Sequence, residues 1–171
     1  MGEEHIVGEI IFDTLAKEIF NCKGINPLLI YGGSGLGKTY ILHVIEREIK
    51  AKAPEKKVIY ITAERFTGEL VDALGRNKRN AFKSKFRGAD VLIMDDIQFL
   101  RGKDVIQEEF FHTFNDLIEE DKQVVFACDR NPMEIENLSD KVANRICSGL
   151  VIELSMALFT RRKAKLKYVN E

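Results

Sequence analysis

Residues 32–39 have the types and spacing that could hold a chain of phosphates. They read Gly-Gly-Ser-Gly-Leu-Gly-Lys-Thr, which matches the pattern of a glycine-rich loop followed by Lys and a hydroxyl residue. Such a loop points backbone N–H groups inward, and the helix after it adds the positive end of its dipole. Lys38 would then reach the β and γ phosphates, and the Thr39 hydroxyl would bind Mg²⁺. The alternative, a glycine-rich turn that precedes Lys-Thr by chance, is disfavoured by the apolar run before it and the helical pattern after it. The candidate nucleotide contacts in this stretch are Gly33, Ser34, Gly35, Leu36, Gly37, Lys38, Thr39 and Tyr40.

Two acids follow a second apolar run. Residues 91–94, Val-Leu-Ile-Met, lead directly into Asp95 and Asp96. Buried strands seldom end in paired carboxylates unless a metal ion or a substrate compensates their charge. We therefore predict that Asp95 holds Mg²⁺, largely through water, and that Asp96 orients or deprotonates the attacking water. The alternative is an ordinary Asp-Asp turn.

A further acid, Asp129, follows the apolar run 123–128. In a sheet of this kind its strand would lie between those of the other two motifs, so the carboxylate would face the γ phosphate as a sensor. Asp-Arg-Asn-Pro is also a favourable turn sequence, and the residue types alone leave the two interpretations equal.

The elements that must position these residues follow from the spacing of apolar side chains. Apolar runs alternate with helical spacing, which predicts an α/β domain with a mostly parallel sheet. The predicted strands are residues 28–31, 57–62, 91–95, 123–128 and 150–154, and the predicted core-facing helices are residues 39–50 and 107–119. No linker or internal repeat interrupts the pattern, so we predict a single domain over residues 1–171.

Composition excludes several classes of protein. The chain has 171 residues, 45% of them hydrophobic and 31% charged, which fits one globular domain. Its 26 Lys and Arg balance 27 Asp and Glu, so it is not a strongly basic, histone-like protein and would need local clusters to bind a polyanion. No apolar window of membrane-spanning length and no secretion signal occur, and we expect a cytoplasmic protein with no membrane partner. Three widely spaced cysteines argue against a disulfide framework or a structural zinc site.

Four runs together resemble the AAA+ ATPase domain of the bacterial replication initiator DnaA. They are residues 26–39, 90–100, 107–115 and 129–132, in the order and spacing of that family's boxes. The run 107–115, Gln-Glu-Glu-Phe-Phe-His-Thr-Phe-Asn, is the most specific to the family. The resemblance implies a three-layer P-loop NTPase fold with five strands in the order 5-1-4-3-2, binding of ATP or ADP with Mg²⁺, and ATP hydrolysis. Ile6-Val7-Gly8 resembles the segment that packs on adenine, which adds Val7 and Gly8 to the nucleotide contacts.

Within the same resemblance, Arg145 falls at the position of the arginine finger. This residue would reach the γ phosphate held by a neighbouring copy, so the chain's partner would be itself, in head-to-tail assembly. A guanidinium suits this role because it is planar, always charged and able to meet two phosphate oxygens. The alternative is a surface arginine in an ordinary helix.

Residues 75–88 hold six basic residues and no acid. The resemblance implies that about residues 64–88 form a helical insertion typical of initiators, which helps to line a path for single-stranded DNA. The alternative is a solvated cationic face with Phe82 and Phe86 buried beneath it. The candidate DNA contacts are Val71, Lys83, Lys85, Arg87 and Lys103.

Residues 160–167 resemble the start of the helix that leads into the family's helical lid, and we expect the lid itself to be absent and hydrolysis to be weak. Two alternatives to an initiator ATPase are a helicase-loader ATPase, which shares the phosphate loop, and an interaction module that binds nucleotide without hydrolysing it.

Overall fold

A computed structural model describes residues 25–155 and a short strand at 166–168. The predicted contacts at Val7 and Gly8 lie outside these residues. The strands are β1 (Leu28–Gly32), β2 (Val58–Thr62), β3 (Val91–Asp95), β4 (Gln123–Cys128), β5 (Leu150–Leu154) and β6 (Leu166–Tyr168). The helices are α1 (Lys38–Lys52), α2 (Ala63–Gly75), α3 (Arg79–Arg87), α4 (Asp104–Glu119) and α5 (Asp140–Ile146), with 3₁₀ turns at Ile97–Leu100 and Pro132–Glu134.

The sheet has the strand order β2-β3-β4-β1-β5-β6. The strands β1 to β5 are all parallel, which confirms the predicted order 5-1-4-3-2. Strand β1 is central, so the loop that follows it opens between β4 and β5 at the carboxyl edge of the sheet. This edge of a parallel α/β sheet is where ligands ordinarily bind.

The sixth strand corrects one prediction. Leu166 and Lys167 were expected in a helix, but they form β6, which pairs antiparallel with β5 through the register Ile152↔Leu166. Pairing satisfies backbone groups along the edge of β5 that would otherwise stay open. Residues 160–165 of the predicted helix lie outside the described part of the chain.

Alternation along the strands sends side chains into two apolar layers. In β3, Val91 and Ile93 pack in the layer that α1 covers, whereas Leu92 and Met94 pack in the layer that α2, α3, α4 and α5 cover. This two-sided burial explains why β3 reads as a continuous apolar run. The result is a three-layer sandwich of helices, sheet and helices.

Helices α2 and α3 lie between β2 and β3, in the span where an initiator-type insertion is predicted. Phe66 of α2 contacts both Phe82 and Phe86 of α3, with ring centroids 5.2 and 5.1 Å apart. The Thr62 hydroxyl caps α2 by accepting from the backbone N–H of Arg65. Aromatic packing therefore fixes α3 against the domain, and its cationic side chains surround that apolar contact. None of the helices described here is long and apolar enough to cross a membrane.

Candidate nucleotide site and the surfaces around it

The loop between β1 and α1 depends on glycine for two different reasons. Gly35 and Gly37 have φ angles of 77° and 84°, in the left-handed region that side chains disfavour. At Gly32 a Cβ atom would lie 2.4 Å from the Leu154 carbonyl oxygen, so close packing on β5 excludes any larger residue there. Gly35 and Gly37 shape the loop, and Gly32 allows the start of the loop to pack against the sheet.

Lys38 begins α1 and turns back over the loop. Its Nζ donates hydrogen bonds to the carbonyl oxygens of Gly32 and Gly33, at 2.7 and 2.8 Å. Both acceptors are neutral, so they hold the ammonium group in place without cancelling its charge. A phosphate oxygen that replaced them would gain a charge-assisted hydrogen bond.

The predicted metal ligands are in direct contact. The Thr39 hydroxyl donates to Asp95 Oδ2 at 2.7 Å, and the backbone N–H of Asp96 donates to Asp95 Oδ1 at 2.8 Å. A hydroxyl and a carboxylate are hard oxygen ligands of the kind that Mg²⁺ prefers, so the residues present fit this ion. Thr39 and Asp95 are the residues that could hold it.

Tyr60 is a member of this cluster that sequence reasoning missed. Its hydroxyl donates to Asp95 Oδ2 at 3.0 Å from the neighbouring strand β2. Burial, followed by the negative charge of Asp95, raises the pKa of Tyr60, so the hydroxyl keeps its proton and continues to donate. The available signal was a polar aromatic residue between two isoleucines of β2.

Gln98 joins the two other predicted acids. Its Nε2 donates to Asp96 Oδ1 at 3.0 Å, and its Oε1 accepts from the backbone N–H of Asp129 at 3.3 Å. The structure therefore brings Asp96 and Asp129 together at the carboxyl ends of neighbouring strands. A hydrogen bond from Arg130, with smaller contributions from other positive charges including that of Lys38, lowers the pKa of Asp129.

The basic residues of α3 have acidic partners. Lys83 Nζ lies 3.9 Å from Glu109 Oε1, and Arg87 Nε lies 2.6 Å from Asp116 Oδ2. Lys85 pairs with Glu69 of α2. These ion pairs favour the alternative of a structural cationic face for Lys83, Lys85 and Arg87.

The other two candidate DNA contacts remain accessible. Val71 is 54% exposed on α2. Lys103 Nζ donates only to the Phe99 carbonyl oxygen, at 3.2 Å, among the contacts that the structure describes. Lys103 is therefore exposed, and the partner of its ammonium group is neutral.

Arg145 lies on α5, where its side chain contacts α4. Its Nε donates to Asn115 Oδ1 at 2.8 Å, and its guanidinium carbon lies 5.7 Å from the centroid of the Phe114 ring. Sequence reasoning identified Arg145 but assigned no role to Asn115, the last residue of the family-specific run.

A parallel sheet of this order, with a phosphate loop after its central strand and two acids after β3, defines a P-loop nucleotide-binding core of the AAA+ class. The family model of the bacterial DnaA ATPase domain matches residues 5–153, and the chain belongs to this family.

Individual relatives agree with this assignment. The chain is 46% identical over 149 residues to the chromosomal replication initiator protein DnaA of Rickettsia canadensis, which covers 85% of this chain and 32% of the relative. It resembles domain III of Thermotoga maritima DnaA with a TM-score of 0.81 and 41% identity, over 86% of this chain and 62% of that one. It also resembles a DnaA bound to AMPPCP and single-stranded DNA, with a TM-score of 0.79 and 36% identity, over 86% of this chain and 46% of that one. The chain thus spans about a third of the length of the curated relatives it matches.

Proposed function

We propose that this chain binds ATP with Mg²⁺ and uses the bound nucleotide to control head-to-tail self-assembly and the engagement of single-stranded origin DNA in the cytoplasm. The observation that carries the proposal is the convergence of Lys38, Thr39 and Asp95 on the open loop after β1. The likeness to a DnaA bound to AMPPCP and single-stranded DNA supports both ligands.

Each residue of the site has a separate task in this proposal. The loop amides and Lys38 bind the phosphates, while Thr39 and Asp95 would hold Mg²⁺, which offsets phosphate charge when bound. Tyr60 keeps the Asp95 carboxylate oriented. Asp129 would sense whether the γ phosphate is present.

Asp96 is proposed to orient the water that attacks the γ phosphate, as general base. Asp96 Oδ1 already accepts a hydrogen bond from Gln98. To act on the water, this oxygen must accept a second hydrogen bond or lose the one from Gln98. We therefore expect slow ATP hydrolysis, in keeping with a switch rather than a motor.

Assembly and DNA binding are the finer parts of the proposal. Arg145 would reach the nucleotide of the next copy, so that assembly depends on ATP. Val71 and Lys103 would contact the DNA strand, with an apolar side chain against the bases or sugars and a cation against the backbone. Single contacts of this kind are weak, so binding requires a row of assembled copies.

The test compares nucleotide binding with hydrolysis. Wild type should bind labelled ATP and ADP, more tightly with Mg²⁺, and should release phosphate slowly. Asp96→Asn should bind ATP with unchanged affinity while phosphate release falls roughly 100-fold, the contribution of a positioned base.

The matched control is Asp90→Asn, because Asp90 precedes β3 at the opposite edge of the sheet and accepts from the backbone N–H of Lys57. It should leave both measurements unchanged. Absence of ATP binding in wild type would overturn the proposal. Equal phosphate release by wild type and Asp96→Asn would instead indicate a module that binds nucleotide without hydrolysing it.

A further inference from the structure

Arg145 differs from other arginines of the domain in the chemistry of its partner. Arg79 and Arg87 each pair with a carboxylate, on Glu109 and Asp116. Arg145 donates its Nε to the amide oxygen of Asn115, and within residues 25–155 no carboxylate forms an ion pair with it.

Two contacts hold this guanidinium against α4. The hydrogen bond to Asn115 is 2.8 Å long, and the Phe114 ring centroid lies 5.7 Å from the guanidinium carbon. Phe114 is fully buried in the core, and Asn115 is the next residue on the same helix, α4. The planar group is therefore held through Nε, while its two terminal nitrogens have no hydrogen-bond partner among the described residues.

An asparagine and an aspartate side chain have nearly the same shape, but they differ in their effect on the charge of a neighbouring guanidinium. Both accept a hydrogen bond from Nε. Only the carboxylate neutralises the guanidinium, which would weaken its attraction for a phosphate. The neutral partner at residue 115 thus orients the cation and leaves its full charge to another anion.

We propose that Asn115 is a positioning residue that fixes the Arg145 fork and keeps its charge available to the phosphate oxygens of a neighbouring copy. This inference rests on the proposed role of Arg145 in ATP-dependent assembly. The inference predicts that an acid at residue 115 prevents ATP-dependent association, although the acid preserves the hydrogen bond and the side-chain volume.

The first experiment measures ATP-dependent association by sedimentation velocity, with ADP as reference. Asn115→Asp should raise the protein concentration needed for association at least tenfold, as Arg145→Ala also should, because the charge is neutralised in place. Asn115→Ala should raise it less, roughly threefold, because the charge stays while its orientation is lost. Nucleotide affinity of the dilute monomer should stay within twofold of wild type in all three variants, which shows that they fold. Wild-type association by Asn115→Asp, with association lost in Arg145→Ala, would overturn the charge argument.

The second experiment observes the contact itself, without assembly. In the dilute monomer the ¹⁵N NMR signal of Arg145 Nε–Hε, assigned through its loss in Arg145→Lys, should show the rigidity of the backbone. The signal should become mobile in Asn115→Ala and stay rigid in Asn115→Asp. A mobile signal in wild type would overturn the positioning contact. A rigid signal together with normal association of Arg145→Ala would instead overturn the proposed role of Arg145, so the two failures are distinguishable.

Discussion

The phosphate loop and helix α3 both present cations, but they hold them with opposite chemistry. Lys38 is held by two backbone carbonyl oxygens, which leave its charge uncancelled. The α3 residues Arg79 and Lys83 instead face Glu109, a carboxylate that is only 2% exposed. A cation beside neutral acceptors can still bind a phosphate, whereas the charge of a cation beside a carboxylate is already paired within the fold. A basic sequence is therefore not by itself a binding surface.

The largest expected effect is on the cation with neutral partners. Lys38→Ala removes a charge-assisted contact to the β and γ phosphates, and two such hydrogen bonds at about 1.5–3 kcal/mol each correspond to a loss of ATP affinity of more than 100-fold. Titration of labelled ATP measures this loss. The matched control is Lys50→Ala on the same helix, because Lys50 is exposed and pairs with Glu46. Equal affinities of the two variants would contradict the comparison.

The next effect is on stability at the α3–α4 contact. Arg79→Ala removes the 2.6 Å ion pair to Glu109 and leaves that carboxylate with Lys83 at 3.9 Å. Because Glu109 is buried while Arg79 is 52% exposed, we expect a loss of about 2–3 kcal/mol, between the values of exposed and buried pairs. Urea unfolding measures it. Arg65→Ala, which breaks an exposed pair with Glu69 on α2, should cost no more than ~0.5 kcal/mol.

A smaller effect concerns DNA. Lys103→Ala should lower the slope of log affinity against log salt for single-stranded DNA by about 0.7, the value for one released counterion. Replacing Lys83, Lys85 and Arg87 together with Gln should lower the slope by less than about 0.7 in total, because their partners are already carboxylates. Fluorescence anisotropy of a labelled oligonucleotide with ATP measures both slopes. A decrease of about two in the triple variant would place α3 on the DNA path instead.

The smallest effect is at an exposed pair beside the site. Arg130 lowers the pKa of Asp129, so their interaction stabilises the fold above the ordinary pKa of an aspartate and is lost as pH falls through the lowered value. Arg130→Gln should lower the urea midpoint only slightly at pH 7, because the arginine is exposed and solvent screens the pair. The difference from wild type should disappear in acid, and urea midpoints at both pH values measure it.

Much of the fold was predictable because local patterns determine it. The buried strand β3 follows from a continuous apolar run, and the phosphate loop follows from a spacing that glycine geometry requires. The contacts of Tyr60 with Asp95 and of Gln98 with Asp129 were not predictable, because they join residues 35 and 31 positions apart that meet only after the strands align. The pairing of Arg79 with Glu109 spans 30 positions and was missed for the same reason. In β6, three residues take their structure from the edge of β5 rather than from their own pattern.

The most direct test is the urea midpoint of wild type, Lys38→Ala and Arg79→Ala, each with and without ATP and Mg²⁺. A ligand that binds only the folded state raises stability by RT ln(1 + [L]/Kd), about 2.7 kcal/mol at 100 times Kd. Lys38→Ala should lose the increase with ATP, judged against its own midpoint without ATP. Arg79→Ala should have a lower midpoint without ATP and keep the full increase. An increase retained by Lys38→Ala, or lost by Arg79→Ala, would contradict the assignment of the first cation to the nucleotide and the second to the fold.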